Sequence, residues 1–296
     1  MEDILTLADN VSSELSCDVL VLNTPMSRSA YDRVEQELEK HKSNKKENLL
    51  YLITTNGGDP NAAYRISRTF QRHYKHTHAC VAGWCKSAGT LCTIGASSLY
   101  MSDRGELGPL DMQIQKQDEI IGMDSGLIVS NAFDALQGKA YDFFESFMLK
   151  ILTRGGSIRF KTATDIASLI TKGAFEPIFS QIDPNKVGEM ARYLAIAEAY
   201  GERLNSHENA HNLREESLQH LTRGYPSHGF TIDREEASRL FENVSKPSDA
   251  LQKLIDCLGV YASTPDPSDK SKIFFLKKST EQVEEQDNGA PENNES

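Results

Sequence analysis

Two short segments have residue types and spacing that could do chemistry. Ile53-Thr-Thr-Asn-Gly-Gly-Asp-Pro60 ends an apolar run with a double glycine, and thirty residues after Gly57 the segment Gly83-Trp-Cys-Lys-Ser-Ala-Gly-Thr90 places Ser87 at a second turn. Glycine lets a backbone approach a ligand closely, and the first N–H groups of a helix have no partner within it. A serine at the start of a helix therefore sits beside free amides and the positive end of the helix dipole. Together the two turns could supply a nucleophile and an oxyanion hole. Each has a plainer reading: a double glycine is often only a tight turn, and Ser-Ala-Gly is often only an N-cap. The flanks of Ser87 are not Gly-x-Ser-x-Gly, since Cys85 stands two residues before it, and neither turn is a GxGxxG dinucleotide site.

A competing chemistry lies further on. His207-Glu208-Asn-Ala-His211 matches H-E-x-x-H, which on a helix would put two imidazoles on one face for zinc with Glu208 as general base. No Gly-x-x-His continuation follows, and His220, His228, Glu235 and Glu236 have no third-ligand spacing, so a solvated helix face accounts better for it and no metal is expected. His228 stands alone in the turn-rich Tyr225-Pro-Ser-His-Gly229, where one imidazole can serve a site as regulator, subunit contact or substitute base, or be structural. Trp84, the only tryptophan, either packs under the Ser87 turn or lines a peptide pocket.

The elements that must position these residues are legible in the pattern. Asp18–Leu22 and Leu49–Ile53 are short apolar runs, and between them residues 28–41 carry Tyr31, Val34 and Leu38 at helical spacing. A helix over about 61–75 with Ala63, Ile66 and Phe70 inward, then a strand at 79–82, makes a second β-α-β unit. A third helix starts near Ser87 and a strand follows at 98–102. Such alternation predicts an α/β fold with a parallel sheet buried on both faces. From Leu127 the pattern becomes helical, with Val129–Thr153 broken by Gly155-Gly156 and more helices between Thr162 and Leu221. Asp233 with Glu236 reads as an N-cap and its box partner, and a last helix follows Lys246-Pro247 as far as Gly259. The expected organisation is a catalytic core at 1–160, a helical C-terminal region at 161–262 and an acidic, unfolded tail at 263–296.

Composition narrows the function classes. The chain carries 32 basic and 43 acidic residues in 296, a net charge of −11, which argues against a phosphate backbone as partner. Six acidic and no basic residues fall in 279–296, so the rest is only mildly acidic. There is no apolar run of membrane-spanning length and no leader-like start, which predicts a cytoplasmic protein without an integral membrane segment. Five cysteines without CxxC spacing read as reduced thiols, mostly in the core.

Asn56-Gly-Gly-Asp59, Gly83-x-x-x-Ser87-Ala-Gly89 and Glu106-Leu-Gly-Pro-Leu-Asp-Met-Gln113 together resemble the Clp/crotonase superfamily of serine peptidases. Within it the chain is most similar to the serine dehydrogenase proteinase family, related to signal peptide peptidase A. The likeness spans roughly 18–152, and Gly-Tyr-Pro-Ser-His-Gly-Phe-x-Ile-Asp-Arg at 224–234 extends it. The resemblance implies a Clp/crotonase-like fold of stacked β-α-β units, Ser87 as nucleophile, and an oxyanion hole from the amides of Gly57 or Gly58 and of Ala88. It also implies a homo-oligomer acting on peptides or unfolded proteins without a cofactor. Clp-type peptidases use a downstream histidine as base, but none occurs between His78 and His207, and Asp111 falls near that position. The departure points to the serine/lysine variant, in which a lysine at the start of a long helix is the base. Lys139, 52 residues after Ser87, fits this best, with Tyr141, Phe143 and Phe144 as an apolar wall that could keep it neutral. Lys86 and Lys150 are second choices, and Asp111 either orients the base, shapes the groove or is a structural turn. The expected activity is peptide-bond hydrolysis through a Ser87–Lys139 dyad. The alternatives are a non-catalytic oligomeric scaffold of the same fold, a thioester-processing crotonase, and the zinc peptidase through His207 and His211.

Overall fold

The computed structural model describes residues 3–110, 113–115, 123–154, 156, 158–266 and 271–277. Helix α1 (Ile4–Glu14) leads into β1 (Cys17–Asn23), whose seven residues are all buried, as expected of a strand covered on both faces. Then follow α2 (Arg28–His41), β2 (Asn48–Thr54), α3 (Pro60–His73), β3 (His76–Val81), β4 (Trp84–Cys85), α4 (Ala88–Ile94), β5 (Ser98–Met101) and β6 (Glu106–Leu107). The short hairpin β7 (Gln113–Gln115) and β8 (Met123–Ser125) precedes the long helices α5 (Gly126–Arg154), α6 (Phe160–Phe179) and α7 (Pro184–Asn205). The chain ends through α8 (Ser217–Gln219) with a π-helical turn at His220–Gly224, α9 (Arg234–Leu240), β9 (Val244–Ser245), α10 (Asp249–Leu258), α11 (Val260–Ser263) and β10 (Lys272–Phe275).

Six strands form the central sheet in the order β10-β1-β2-β3-β5-β9, all parallel except β10. This is the α/β architecture that the alternation of strand and helix predicts. The period of two divides the core. Leu20, Leu22, Tyr51, Ile53 and Val81 pack with Val34, Ile66, Phe70, Leu91 and Leu204 on one side. Val19, Val21, Leu50, Leu52 and Cys80 pack with Leu7, Val11, Leu251 and Leu254 on the other.

Two expectations need correction. The stretch from 263 onward is not wholly unfolded: β10 pairs antiparallel with β1, from Leu20 opposite Phe275 to Asn23 opposite Lys272. The reason is local: Ile273 is buried, Phe275 stacks on His41 at 3.9 Å between ring centroids, and His41 in turn meets the buried Asp18 at 3.1 Å. Pairing also covers the otherwise open edge of β1. Residues 161–262 are not only helical: they add β9 to the central sheet, and α7 packs on α3 and α4. Among the described residues no helix is long and apolar enough to cross a membrane.

Candidate active site

The site is built where β2 and β3 run out. Beyond β2 the chain makes a one-residue parallel bridge between Thr55 and Cys85: Thr55 N donates to Trp84 O at 2.8 Å, and Lys86 N donates to Thr55 O at 3.0 Å. This lays the glycine turn beside the serine turn. Gly57 and Gly58 adopt φ of 103° and 134°, which side chains rarely tolerate. Their neighbours explain the second half of the requirement. A β-carbon on Gly57 would lie 2.9 Å from Ser87 Cβ and 3.4 Å from Ala88 N, and one on Gly58 would run into the Met26 carbonyl.

Ser87 itself has φ 50° and ψ −116°, a conformation that costs a residue with a β-carbon about 1–3 kcal/mol. It precedes α4, yet its side chain makes no capping hydrogen bond, so the plain N-cap reading fails. The surroundings impose the strained turn. Gly89 N donates to Lys86 O at 2.8 Å, and Leu91 N to Ser87 O at 3.2 Å. Thr90 Oγ1 donates to Gly108 O at 2.7 Å and accepts from Gly108 N at 3.1 Å. Gly108 presses from the other flank, where a β-carbon would meet Lys86 Cδ at 2.8 Å and Ser87 N at 3.3 Å. The three sequence motifs thus converge on one residue. Ser87 is recessed, at 6 % exposure, and Trp84 on β4 is 48 % exposed, so the tryptophan does not pack under the turn.

The amides differ in availability. Gly57 N already donates to Thr55 Oγ1 at 3.0 Å. Gly58 lies in a bridge whose bonds are made by its neighbours, Met26 N to Gly57 O and Asp59 N to Met26 O. Among the described residues neither Gly58 N nor Ala88 N has an acceptor. Cys85 is no rival nucleophile, because full burial pushes its thiol well above the ordinary range and keeps it protonated.

The candidate bases fare unequally. Lys86 is largely buried and engaged: its Nζ lies 3.1 Å from Glu106 Oε2 and 3.3 Å from Leu107 O. Glu106 also accepts from Thr231 Oγ1 at 3.0 Å. Lys139, on α5, is exposed, and among the described residues it makes no hydrogen bond or ion pair. Tyr141 is 65 % exposed and Phe143 packs on Phe147 and Phe175, so the expected aromatic wall does not close over Lys139 within one chain. Lys150 is also exposed, 5.6 Å from the Phe147 ring. Asp111 lies outside the described residues. His228 is half-buried in the loop before α9, and that loop reaches the site through Ile232, whose N and O pair with Leu107 O and N.

The zinc reading fails on geometry. Helix α7 ends at Asn205, and His207–His211 runs through turns with His211 at φ 36°, so the two imidazoles do not share a helix face. Among the described residues no group of three or more His, Cys, Asp or Glu could hold a metal. Sequence reasoning missed Thr55, Thr90 and Glu106 as builders of the turn. All three lie within the quoted segments, Thr55 and Thr90 at the two turns and Glu106 as the first residue of the third motif, but their hydrogen-bonding roles depend on contacts between the turns.

No protein-family model and no curated protein matches the chain. Among solved structures, it is similar to a 1510-N membrane-bound stomatin-specific protease with a serine-to-alanine substitution, at 12 % identity and TM-score 0.47, over 80 % of this chain and 82 % of that one. It is also similar to a lysine-to-alanine form of that protease in complex with a substrate peptide, at 14 % identity and TM-score 0.44, over 79 % and 77 %.

Proposed function

We propose that the chain is a serine peptidase of the Clp/crotonase kind, hydrolysing peptide bonds through a Ser87–Lys139 dyad. The observation that carries this reading is the strained, uncapped Ser87 held against the Gly57-Gly58 turn. A serine used only as a cap would bond its own helix, and strain held by the surroundings in this way gathers at functional sites. In the reaction Ser87 Oγ attacks the peptide carbonyl while the base takes its proton. The carbonyl oxygen becomes an oxyanion, the proton passes to the departing amine, and water then releases the acyl group from the serine by the same route in reverse. Because the Gly57 amide is committed to Thr55, the oxyanion falls to Gly58 N–H and Ala88 N–H, with Gly57 giving the clearance that brings the two turns together.

The base must be neutral to accept a proton, which for a lysine requires burial. Lys139 is exposed in one chain, alongside exposed Tyr141, Phe160 and Leu169 on α5 and α6. A homo-oligomer in which a second copy covers Lys139 would dehydrate it, and exposed apolar side chains on the same two helices give such a copy something to bury, so the reading joins the dyad to assembly. Asp111 and His228 remain accessory groups that shape the groove. Peptides or unfolded chains would bind extended along the strand edges near Trp84, by strand addition. The mechanism needs no cofactor.

A second reading, a non-catalytic scaffold, draws on one observation: no described base hydrogen-bonds Ser87. Ser87→Ala separates the two. Under the peptidase reading, hydrolysis of an unfolded protein and labelling by a fluorophosphonate are both lost, the turnover by about a thousandfold or more. Unchanged turnover in Ser87→Ala overturns the peptidase reading, and absence of both signals in the native protein favours the scaffold.

A further inference from the structure

Away from Ser87, a cavity of about 280 Å³ opens between α2, α3 and α7, lined by Arg65, Arg68, Arg72, Arg203, Tyr64 and Tyr200 among others. Four guanidinium groups here contrast with a chain whose net charge is −11. Arg65, Arg68 and Arg72 recur on α3 at the spacing that puts them on one face, and Arg203 joins them from α7. Like charges so arranged repel, and in folded proteins they are ordinarily interleaved with carboxylates. Among the described residues none of the four makes an ion pair. Glu35 on α2 accepts from Thr69 Oγ1 at 2.6 Å rather than from any of the four. Arg68 Nη1 donates to Gln71 Oε1 at 2.9 Å, but its Nε is buried without a hydrogen-bond partner. The positive field reaches His207: burial first, then Arg68, lowers its imidazole pKa.

The tyrosines give the cavity flat walls. Tyr64 and Tyr200 stack at 4.2 Å between centroids and 11° between planes, and Tyr200 Oη donates to Asn61 Oδ1 at 2.8 Å, which fixes the pair. Arg65 lies 5.5 Å from the Tyr31 ring and Arg203 5.9 Å from the Tyr200 ring, so aromatic faces pre-orient guanidinium forks. Several forks around one space suit a tetrahedral dianion with multiple acceptor oxygens better than a carboxylate, which one fork saturates. The volume is close to the lower end of small-molecule pockets, which run from about 300 Å³.

We propose that the arginine–tyrosine cavity between α3 and α7 is a binding site for a small phosphorylated molecule bearing a planar ring. The site is independent of the peptidase reading. The test is calorimetric titration of the full chain with adenosine monophosphate, inorganic phosphate and adenosine at low and high salt. Adenosine monophosphate is expected to bind saturably and to weaken with salt, inorganic phosphate to bind less tightly, and adenosine not at all. Arg68→Gln/Arg72→Gln is expected to weaken the monophosphate by roughly tenfold or more, and Arg203→Gln, on the other helix, to do so independently. The melting temperature of each variant without ligand should equal or exceed that of the native chain, since like-charge repulsion is relieved. Absence of saturable binding at millimolar monophosphate, or binding unchanged in both variants, overturns the site. Equal affinity for inorganic phosphate overturns the ring-bearing class.

Discussion

Gly57 and Ser87 approach so closely that a β-carbon on the glycine would lie 2.9 Å from the serine β-carbon, with Lys86 O at 3.0 Å. Side chains do not tolerate such a contact, and φ of 103° adds strain for any residue but glycine. Gly57→Ala is therefore expected to displace Ser87 and to destabilise the fold by about 1–3 kcal/mol. If the proposed chemistry holds, a displacement of this kind lowers kcat/KM by about a hundredfold while the variant stays folded at room temperature. Peptidase kinetics beside a urea denaturation curve measure both, and native kinetics in Gly57→Ala would refute the role given to this contact.

The Lys86–Glu106 pair offers a second test. Both side chains are largely buried, at 15 % and 18 % exposure, so removing one charge strands the other. Glu106→Gln alone is expected to cost up to about 3 kcal/mol, whereas Lys86→Met with Glu106→Gln should be close to neutral. Because Lys86 is tied to Glu106 and to Leu107 O, the double variant should keep near-native turnover. A loss equal to that of Ser87→Ala would make Lys86 the base in place of Lys139.

Much of this arrangement was legible in the sequence because it rests on short-range signals. The alternation of apolar strands and amphipathic helices located β1, α2, β2 and α3 within a few residues, and Asp233 caps α9 by accepting from Glu236 N, as its spacing predicts. The glycines and Ser87 were readable because their types are constrained by backbone conformation. What was hidden depends on contacts between distant residues. β10 is four residues long, beside prolines and an acidic tail, and becomes a strand only because β1 has an edge to offer and His41 a ring to stack on. H-E-x-x-H looked helical in period, but the chain leaves the helix at Asn205, where Asn205 Oδ1 accepts from Leu213 N and its Nδ2 donates to Leu213 O. The exposure of Lys139 was likewise invisible, since aromatic residues nearby in sequence can face another helix, as Phe143 does toward Phe175.

Stability should fall on mild acidification through His78. Its Nδ1 lies 2.8 Å from Ser98 Oγ in the sheet, and burial first, then the neighbouring His76, lowers its pKa below the ordinary 6.5. Above that value the imidazole is neutral folded or unfolded, and its contribution is complete. As pH falls below 6.5 the unfolded chain takes up the proton first, so stability is lost until the folded pKa is passed. His78→Gln, which keeps a hydrogen-bonding group but cannot titrate, should flatten this part of the profile of urea midpoint against pH. An unchanged slope between pH 6.5 and 5 would assign the acid sensitivity to other groups.

Exposure of Lys139 carries the most demanding prediction. A lysine acts as a base only where burial leaves it neutral, so the dyad works only when a second copy covers Lys139, which is exposed in one chain. Specific activity is then expected to fall on dilution as an assembly dissociates, and Tyr141→Glu, which puts a charge on an exposed apolar position of α5, should yield a folded but inactive smaller species. Lys139→Ala should lower kcat/KM by about 10²–10⁴ without changing assembly, the range for loss of a general base. Sedimentation measured beside the kinetics decides the matter, since a monomer with full activity, or native kinetics in Lys139→Ala, would remove the lysine from the mechanism.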